Sequence, residues 1–206
     1  MTSNQADNQT RLNEIVEIMK RGDTDVSPYI PEIMALCEAK LQPPELMVLE
    51  CELKGYNTKV GIQYYTKQPE SRFDSGYIGW RGMVGRQWEG RLQVRKPDGT
   101  YSDVTHEIGK RRNFFVSETL PEIERLAKLP GDTVEMELPD LTEHIGQQEG
   151  GVIVLMCDRA RLQKYVETEH QTMISLIRLV TSPEQREKAD TRTAKYREER
   201  GLPPEQ

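Results

Sequence analysis

Arginines alternate with aromatic residues in the middle of this chain, in a stretch with a glycine at every third position from Gly76 to Gly85. Both tryptophans, Trp80 and Trp88, lie in the same region. Arginines neutralise phosphates, and aromatic rings offer faces on which unpaired bases stack, each worth about 1–3 kcal/mol in single-strand binders. Glycines let a ligand or a second backbone come close. The stretch therefore predicts a face that binds single-stranded nucleic acid.

The candidate nucleic-acid-binding residues form two groups. The phosphate-binding candidates are Arg72, Arg81, Arg86, Arg91, Arg95, Lys110, Arg111 and Arg112. The stacking candidates are Tyr65 and Trp80, with Tyr64, Tyr77 and Trp88 as further ring faces. Tryptophan and tyrosine are also common in cores and subunit interfaces, so a packing role for the aromatic residues is the competing interpretation.

Charge is unevenly distributed along the 206 residues, which carry −6 in total. Residues 72–112 contain nine basic and five acidic side chains, an excess of four that leaves −10 on the remainder. Such an acidic protein does not coat DNA by charge alone. The local basic excess is compatible with a binding groove.

No sequence pattern typical of catalysis is present. The chain lacks the Gly-x-Ser-x-Gly, phosphate-loop and His-Glu-x-x-His motifs. His106, His144 and His170 are predicted on a strand, a loop and a helix, and the neighbours Glu143 and Glu169 are typical of solvated surface. We therefore predict that the protein is not an enzyme and has no catalytic residue, metal or cofactor. An unrecognised carboxylate–histidine enzyme is a third alternative.

Cysteine usage and hydropathy predict the compartment. Cys37, Cys51 and Cys157 are few, odd in number and without metal-ligand spacing, which indicates a reducing interior. No apolar run approaches the roughly 20 residues that span a bilayer. We expect a cytoplasmic protein with no membrane partner.

Helical periodicity characterises both ends of the chain. Leu12, Ile15, Val16 and Met19 follow the spacing of an amphipathic helix. The last helix, begun by Ser182, has almost no apolar stripe. The predicted helices cover 9–21, 28–40, 45–54, 121–129, about 159–179 and 183–200.

Strand periodicity lies between these helical ends. Pro97-Asp98-Gly99 separates two alternating segments and predicts a hairpin. The predicted strands cover 60–66, 91–95, 101–106, 133–138 and 152–156, whereas 139–151 is predicted to be an exposed loop.

The predicted fold class is α+β, with short N-terminal helices, a small mostly antiparallel sheet and two C-terminal helices. The predicted divisions are a disordered N-terminus over 1–8, a single α+β domain over 9–180, and a polar C-terminal helix and tail over 181–206.

Three local motifs follow one another between residues 43 and 105. Pro44 to Thr58 reads as a helix with its cap, Ile62-Gln63-Tyr64-Tyr65 as a strand with an Ile-Tyr pair, and Ile78 to Val84 as a Gly-aromatic-Arg element. With the hairpin after them, they resemble the phage single-strand annealing proteins of the RecT and Bet group. Thr58 stands where that group has proline, and Ile78 where it has aspartate.

The resemblance implies an ATP-independent protein that binds single-stranded DNA and pairs complementary strands in recombination. It also implies a homo-oligomer, located in the host cytoplasm if the protein is phage-encoded. The alternative is a non-enzymatic structural or assembly protein, such as a virion component, whose aromatic stretch is core or subunit interface.

Overall fold

A four-stranded antiparallel sheet, with helices packed on one face, is the centre of the computed structural model. The structure describes residues 3–41, 43–55, 87–110, 113–116 and 118–199. The helices are α1 (Ser3–Arg21), α2 (Ile30–Cys37), α3 (Pro43–Lys54), α4 (Leu120–Ala127), α5 (Pro139–Leu141), α6 (Gln147–Glu149), α7 (Arg159–Thr181) and α8 (Pro183–Glu199). The other helical elements are 3-10 turns at Ser27–Tyr29 and Glu107–Lys110 and a π-helix at Thr142–Gly146. The strands are β1 (Gln87–Glu89), β2 (Arg91–Arg95), β3 (Tyr101–Asp103), β4 (Asn113–Phe115), β5 (Thr133–Glu137) and β6 (Val152–Asp158).

The sheet has the strand order β3-β2-β6-β5, and every neighbouring pair is antiparallel. Side chains alternate across it, so one face carries the buried residues Leu92, Val94, Val134, Met136, Ile153 and Leu155. A separate two-stranded ribbon pairs β1 with β4. The predicted α+β class and the antiparallel sheet are thereby confirmed.

The predicted hairpin between β2 and β3 is also confirmed. Asp98 Oδ1 accepts hydrogen bonds from the Thr100 N–H at 2.9 Å and from the Thr100 hydroxyl at 2.7 Å. These bonds hold the pKa of Asp98 below its usual range. Gly99 has a φ of 83°, in the left-handed region where a side chain would be strained.

Helix α1 buries the predicted apolar face of Leu12, Ile15, Val16 and Met19. The helix begins at Ser3, whereas the sequence predicts a disordered 1–8 and a start near residue 9. The extension has a simple cause, because residues 3–8 contain neither proline nor glycine to stop a helix.

Hydrogen bonds from two sides hold the turn between α1 and α2 in place. On one side, Glu124 of α4 accepts hydrogen bonds from the N–H groups of Val26 at 2.6 Å and Ser27 at 3.1 Å, and from the Ser27 hydroxyl. On the other side, the ring nitrogens of His170 lie 2.8 Å from the carbonyl oxygens of Val166 and Thr24. Burial raises the pKa of Glu124 against the effect of its hydrogen bonds. The turn is therefore fixed by buried side chains of α4 and α7.

Helix α7 packs against α1, α4 and β6 and ends where Ser182 starts α8. The Ser182 hydroxyl accepts the N–H of Gln185 at 3.3 Å, as expected for a helix cap. Arg186 then pairs with the buried Glu45 of α3 at 2.7 Å, which docks the first turn of α8. Among the described helices, none is both long and apolar enough to cross a membrane.

The predicted exposed loop over 139–151 is wrong. Residues 139–149 are helical throughout, and Ile145 and Glu149 are buried. The missed signal is the spacing of Leu138, Leu141 and Ile145, at i, i+3 and i+7, beside a proline in a first-turn position.

Replacing Glu124 with alanine should destabilise the fold strongly. The change removes the acceptor for two N–H groups and leaves them buried without a partner, so we expect the free energy of unfolding to fall by about 2–4 kcal/mol. Urea unfolding followed by circular dichroism measures the difference.

The matched control is Glu122→Ala on the same helix, where the carboxylate pairs with Arg125 at the surface. The control should lose no more than about 1 kcal/mol. Equal losses in the two variants would contradict the assigned role of Glu124.

Candidate nucleic-acid interface

The β1–β4 ribbon pairs two strands that each stand next to basic residues in the sequence. Glu89 pairs with Asn113 in the antiparallel register. Arg91 follows Glu89 by two positions, and the run Lys110-Arg111-Arg112 directly precedes Asn113. Glu89 and Asn113, 24 positions apart in the sequence, therefore meet at one end of the ribbon.

The ribbon is attached to the core through Trp88. Its ring is 4% exposed and meets the ring of Tyr165 edge-on, with centroids 5.6 Å apart. The Tyr165 hydroxyl donates a 2.9 Å hydrogen bond to Glu52 of α3. The prediction of Trp88 as a face for base stacking is wrong, because the ring is enclosed by core side chains.

The loop from Val104 to Lys110 is held by the buried carboxylate of Glu149. This carboxylate accepts hydrogen bonds from the N–H of Thr105 at 3.1 Å, the hydroxyl of Thr105 at 2.9 Å and the N–H of His106 at 2.7 Å. Burial raises the pKa of Glu149, but these hydrogen bonds and the charge of Lys96 outweigh it and leave the pKa below its usual range. The anionic form is therefore the one that fits.

Lys110 is the basic candidate that the described structure leaves most open to solvent. Its side chain is 82% exposed, and the ammonium group lies 3.9 Å from the carboxylate of Glu107, which is also exposed. Such a pair is screened by water and contributes little energy, so a phosphate can displace the carboxylate.

Arg91 and Arg95 are held in ion pairs within the sheet. Arg91 lies 2.5 Å from Asp103 on the neighbouring strand. The Arg95 guanidinium contacts both Glu135 and Glu137 of β5, and these hydrogen bonds and charges, led by the bond to Glu137, raise its pKa. A phosphate would have to compete with these carboxylates.

The Arg95 ion pairs also cover the outer face of the sheet. The Tyr101 hydroxyl donates to Glu135 in the same network. Val154 lies on this face between β2 and β5 in register, yet it is fully buried. The Arg95 ion pairs and the buried Val154 therefore lie on the same face of the sheet.

Nine of the candidate binding residues lie outside the described residues. They are Tyr64, Tyr65, Arg72, Tyr77, Trp80, Arg81, Arg86, Arg111 and Arg112. The described structure therefore places Arg91, Arg95 and Lys110 of the predicted set, and it adds Glu149, which the sequence interpretation missed. A glutamate in a polar segment has no pattern that signals burial; the local hint is Gly150, whose φ of 74° closes the helical segment.

His106 and His170 form hydrogen bonds within the described part of the protein. Both nitrogens of His170 face carbonyl oxygens, and His106 Nδ1 accepts the N–H of Ile108 at 3.3 Å. Over the described ranges, no group of three or more His, Cys, Asp or Glu side chains could hold a metal ion.

Comparison with protein-family models, with curated proteins and with solved structures finds no match to this chain.

The lowered pKa of Glu149 predicts a specific dependence of stability on pH. A depressed folded-state pKa adds stability above the unfolded-state value of 4.5, and this stability is lost as the pH falls through the folded-state pKa. The wild-type protein should therefore have a higher free energy of unfolding than Glu149→Gln. This difference should be constant near neutral pH and shrink as the pH drops below about 4.5. Urea unfolding at a series of pH values tests this prediction, and a difference in free energy of unfolding that does not change with pH would contradict it.

Proposed function

We propose that the protein binds single-stranded DNA without ATP and pairs complementary strands as a homo-oligomer. The observation that supports the proposal is the β1–β4 ribbon, in which Glu89, two residues before Arg91, pairs with Asn113, three residues after Lys110. The excess of four positive charges over 72–112, in a chain of −6, supports the same conclusion. Cationic side chains that release counterions from phosphates supply most of the affinity of such proteins.

The ion pairs indicate which candidate residues would contribute more to phosphate binding and which would contribute less. Arg91 and Arg95 are held by carboxylates, so they contribute less than an unpaired arginine. Lys110, with Arg111 and Arg112 beside it in sequence, is the main phosphate-binding group of the proposal. Arg72, Arg81 and Arg86 extend the path, and Tyr65 and Trp80 are the stacking residues of the proposal.

The mechanism requires binding and no covalent chemistry. Neutralised phosphates reduce the repulsion between two strands, while bases left accessible can search for their complement. An oligomer would align several binding faces along one strand. Cys37 and Cys157 are buried and form no disulfide, which supports a reducing compartment such as the cytoplasm.

A second candidate function is a structural or assembly protein whose aromatic stretch forms core and subunit contacts. The burial of Trp88 against Tyr165 favours this alternative, because it shows one of the two tryptophans in a packing role. The two functions differ in whether a folded protein has affinity for single-stranded DNA.

Fluorescence anisotropy of a labelled single-stranded oligonucleotide, at several salt concentrations, tests the proposal. We expect Lys110→Ala/Arg111→Ala/Arg112→Ala to weaken binding roughly ten- to hundredfold at low salt. We also expect the slope of log affinity against log salt to fall by as much as about 2, at about 0.7 per phosphate contact.

The matched control is Lys20→Ala/Arg21→Ala/Lys54→Ala, which removes the same charge from exposed side chains of α1 and α3. It should retain the wild-type salt slope. Absence of binding by the folded wild-type protein at low salt would exclude the proposal and leave the assembly function.

A further inference from the structure

The loop that carries Lys110 is fixed on both sides. On its amino side, Glu149 binds the backbone of two successive residues, Thr105 and His106. On its carboxyl side, the chain enters β4, where Asn113 pairs with Glu89. The loop also closes on itself tightly, because a Cβ on Gly109 would stand 2.6 Å from the Val104 carbonyl oxygen. Lys110 therefore lies between two anchors rather than on a free loop.

The backbone around Glu149 is in turn fixed to the sheet. Lys96 of the hairpin donates a hydrogen bond to the Glu149 carbonyl oxygen. A Cβ on Gly151 would stand 2.3 Å from the Arg95 carbonyl oxygen, so this glycine lets the segment lie directly against β2. At the other end of the π-helix, the Thr142 hydroxyl accepts the N–H of Ile153 at 2.9 Å. The helical segment 139–149 is thus a rigid support between β5 and β6.

We infer that segment 139–149 positions the basic loop for single-stranded DNA, with Glu149 as the positioning residue. The inference rests on the proposed function and gives a role to the part of the chain between β5 and β6. Glu149 itself does not touch the DNA. It acts by holding Thr105 and His106, so that the loop is ordered before the strand arrives.

Charge repulsion and loop positioning predict opposite effects of removing Glu149 on the affinity for DNA. A carboxylate close to a DNA-binding loop repels phosphate, so its loss should tighten binding if charge alone matters. If Glu149 positions the loop, its loss should weaken binding, because the strand must then order the loop itself. The sign of the change therefore separates the two explanations.

The test measures single-stranded DNA binding by anisotropy for the wild type, Glu149→Ala, Glu149→Gln and Glu143→Ala. We expect Glu149→Ala to weaken binding by roughly two- to tenfold, at an unchanged salt slope, because no phosphate contact is removed. Glu149→Gln should lie in between, since one oxygen can still accept the hydrogen bonds from the Thr105 hydroxyl and the His106 N–H. Glu143 is an exposed residue of the π-helix, so Glu143→Ala removes the same charge without these contacts and should leave binding equal or slightly tighter.

Hydrogen–deuterium exchange of the 104–110 amides gives a readout that does not depend on DNA, and exchange there should be faster in Glu149→Ala.

Wild-type binding with equal affinities for Glu149→Ala and Glu143→Ala would overturn this inference and leave the proposed function intact. Absence of wild-type binding would overturn the proposed function and, with it, the role of the loop in binding DNA. Unchanged loop exchange in Glu149→Ala would overturn the positioning role on its own.

Discussion

Buried carboxylates that accept backbone N–H groups from distant segments are the interactions on which this structure most depends. Glu124 satisfies the N–H groups of Val26 and Ser27, about a hundred residues earlier in the chain. Glu149 does the same for Thr105 and His106. Each recipient segment lies outside the regular ladders of helix or sheet, so its N–H groups need another acceptor. The hydrogen bonds to these two glutamates therefore fix the positions of two irregular segments.

These two anchors connect the core to the candidate binding surface. The Glu124 contact fixes the turn that precedes α2. Helix α3 reaches the β1–β4 ribbon through Glu52, Tyr165 and Trp88. The Glu149 contact sets the loop that ends at Lys110. The proposed binding surface is consequently supported by long-range polar contacts, and ion pairs such as Arg95 with Glu135 restrict which basic residues are free to meet a phosphate.

Local patterns in the sequence predicted the parts of the fold that depend on neighbouring residues. The hairpin at Asp98, the apolar face of α1 and the start of α8 at Ser182 all follow from turn chemistry, helical spacing and capping. The sequence did not predict the contacts made across long separations. No periodicity marks Glu149 as a buried acceptor, and nothing near Arg95 indicates that carboxylates some forty residues later will bind it. Composition alone likewise does not separate a stacking tryptophan from a packed one such as Trp88.

Amide hydrogen exchange of the wild-type protein, resolved by residue with NMR, tests the central role of the buried carboxylates most directly. The N–H groups of Val26, Ser27, Thr105 and His106 each donate a hydrogen bond to one of the two glutamates, and we expect these bonds to protect them from exchange. We predict that all four exchange much more slowly than the N–H of Asp98 in the exposed hairpin turn. Exchange of these amides as fast as that of Asp98 would contradict the account.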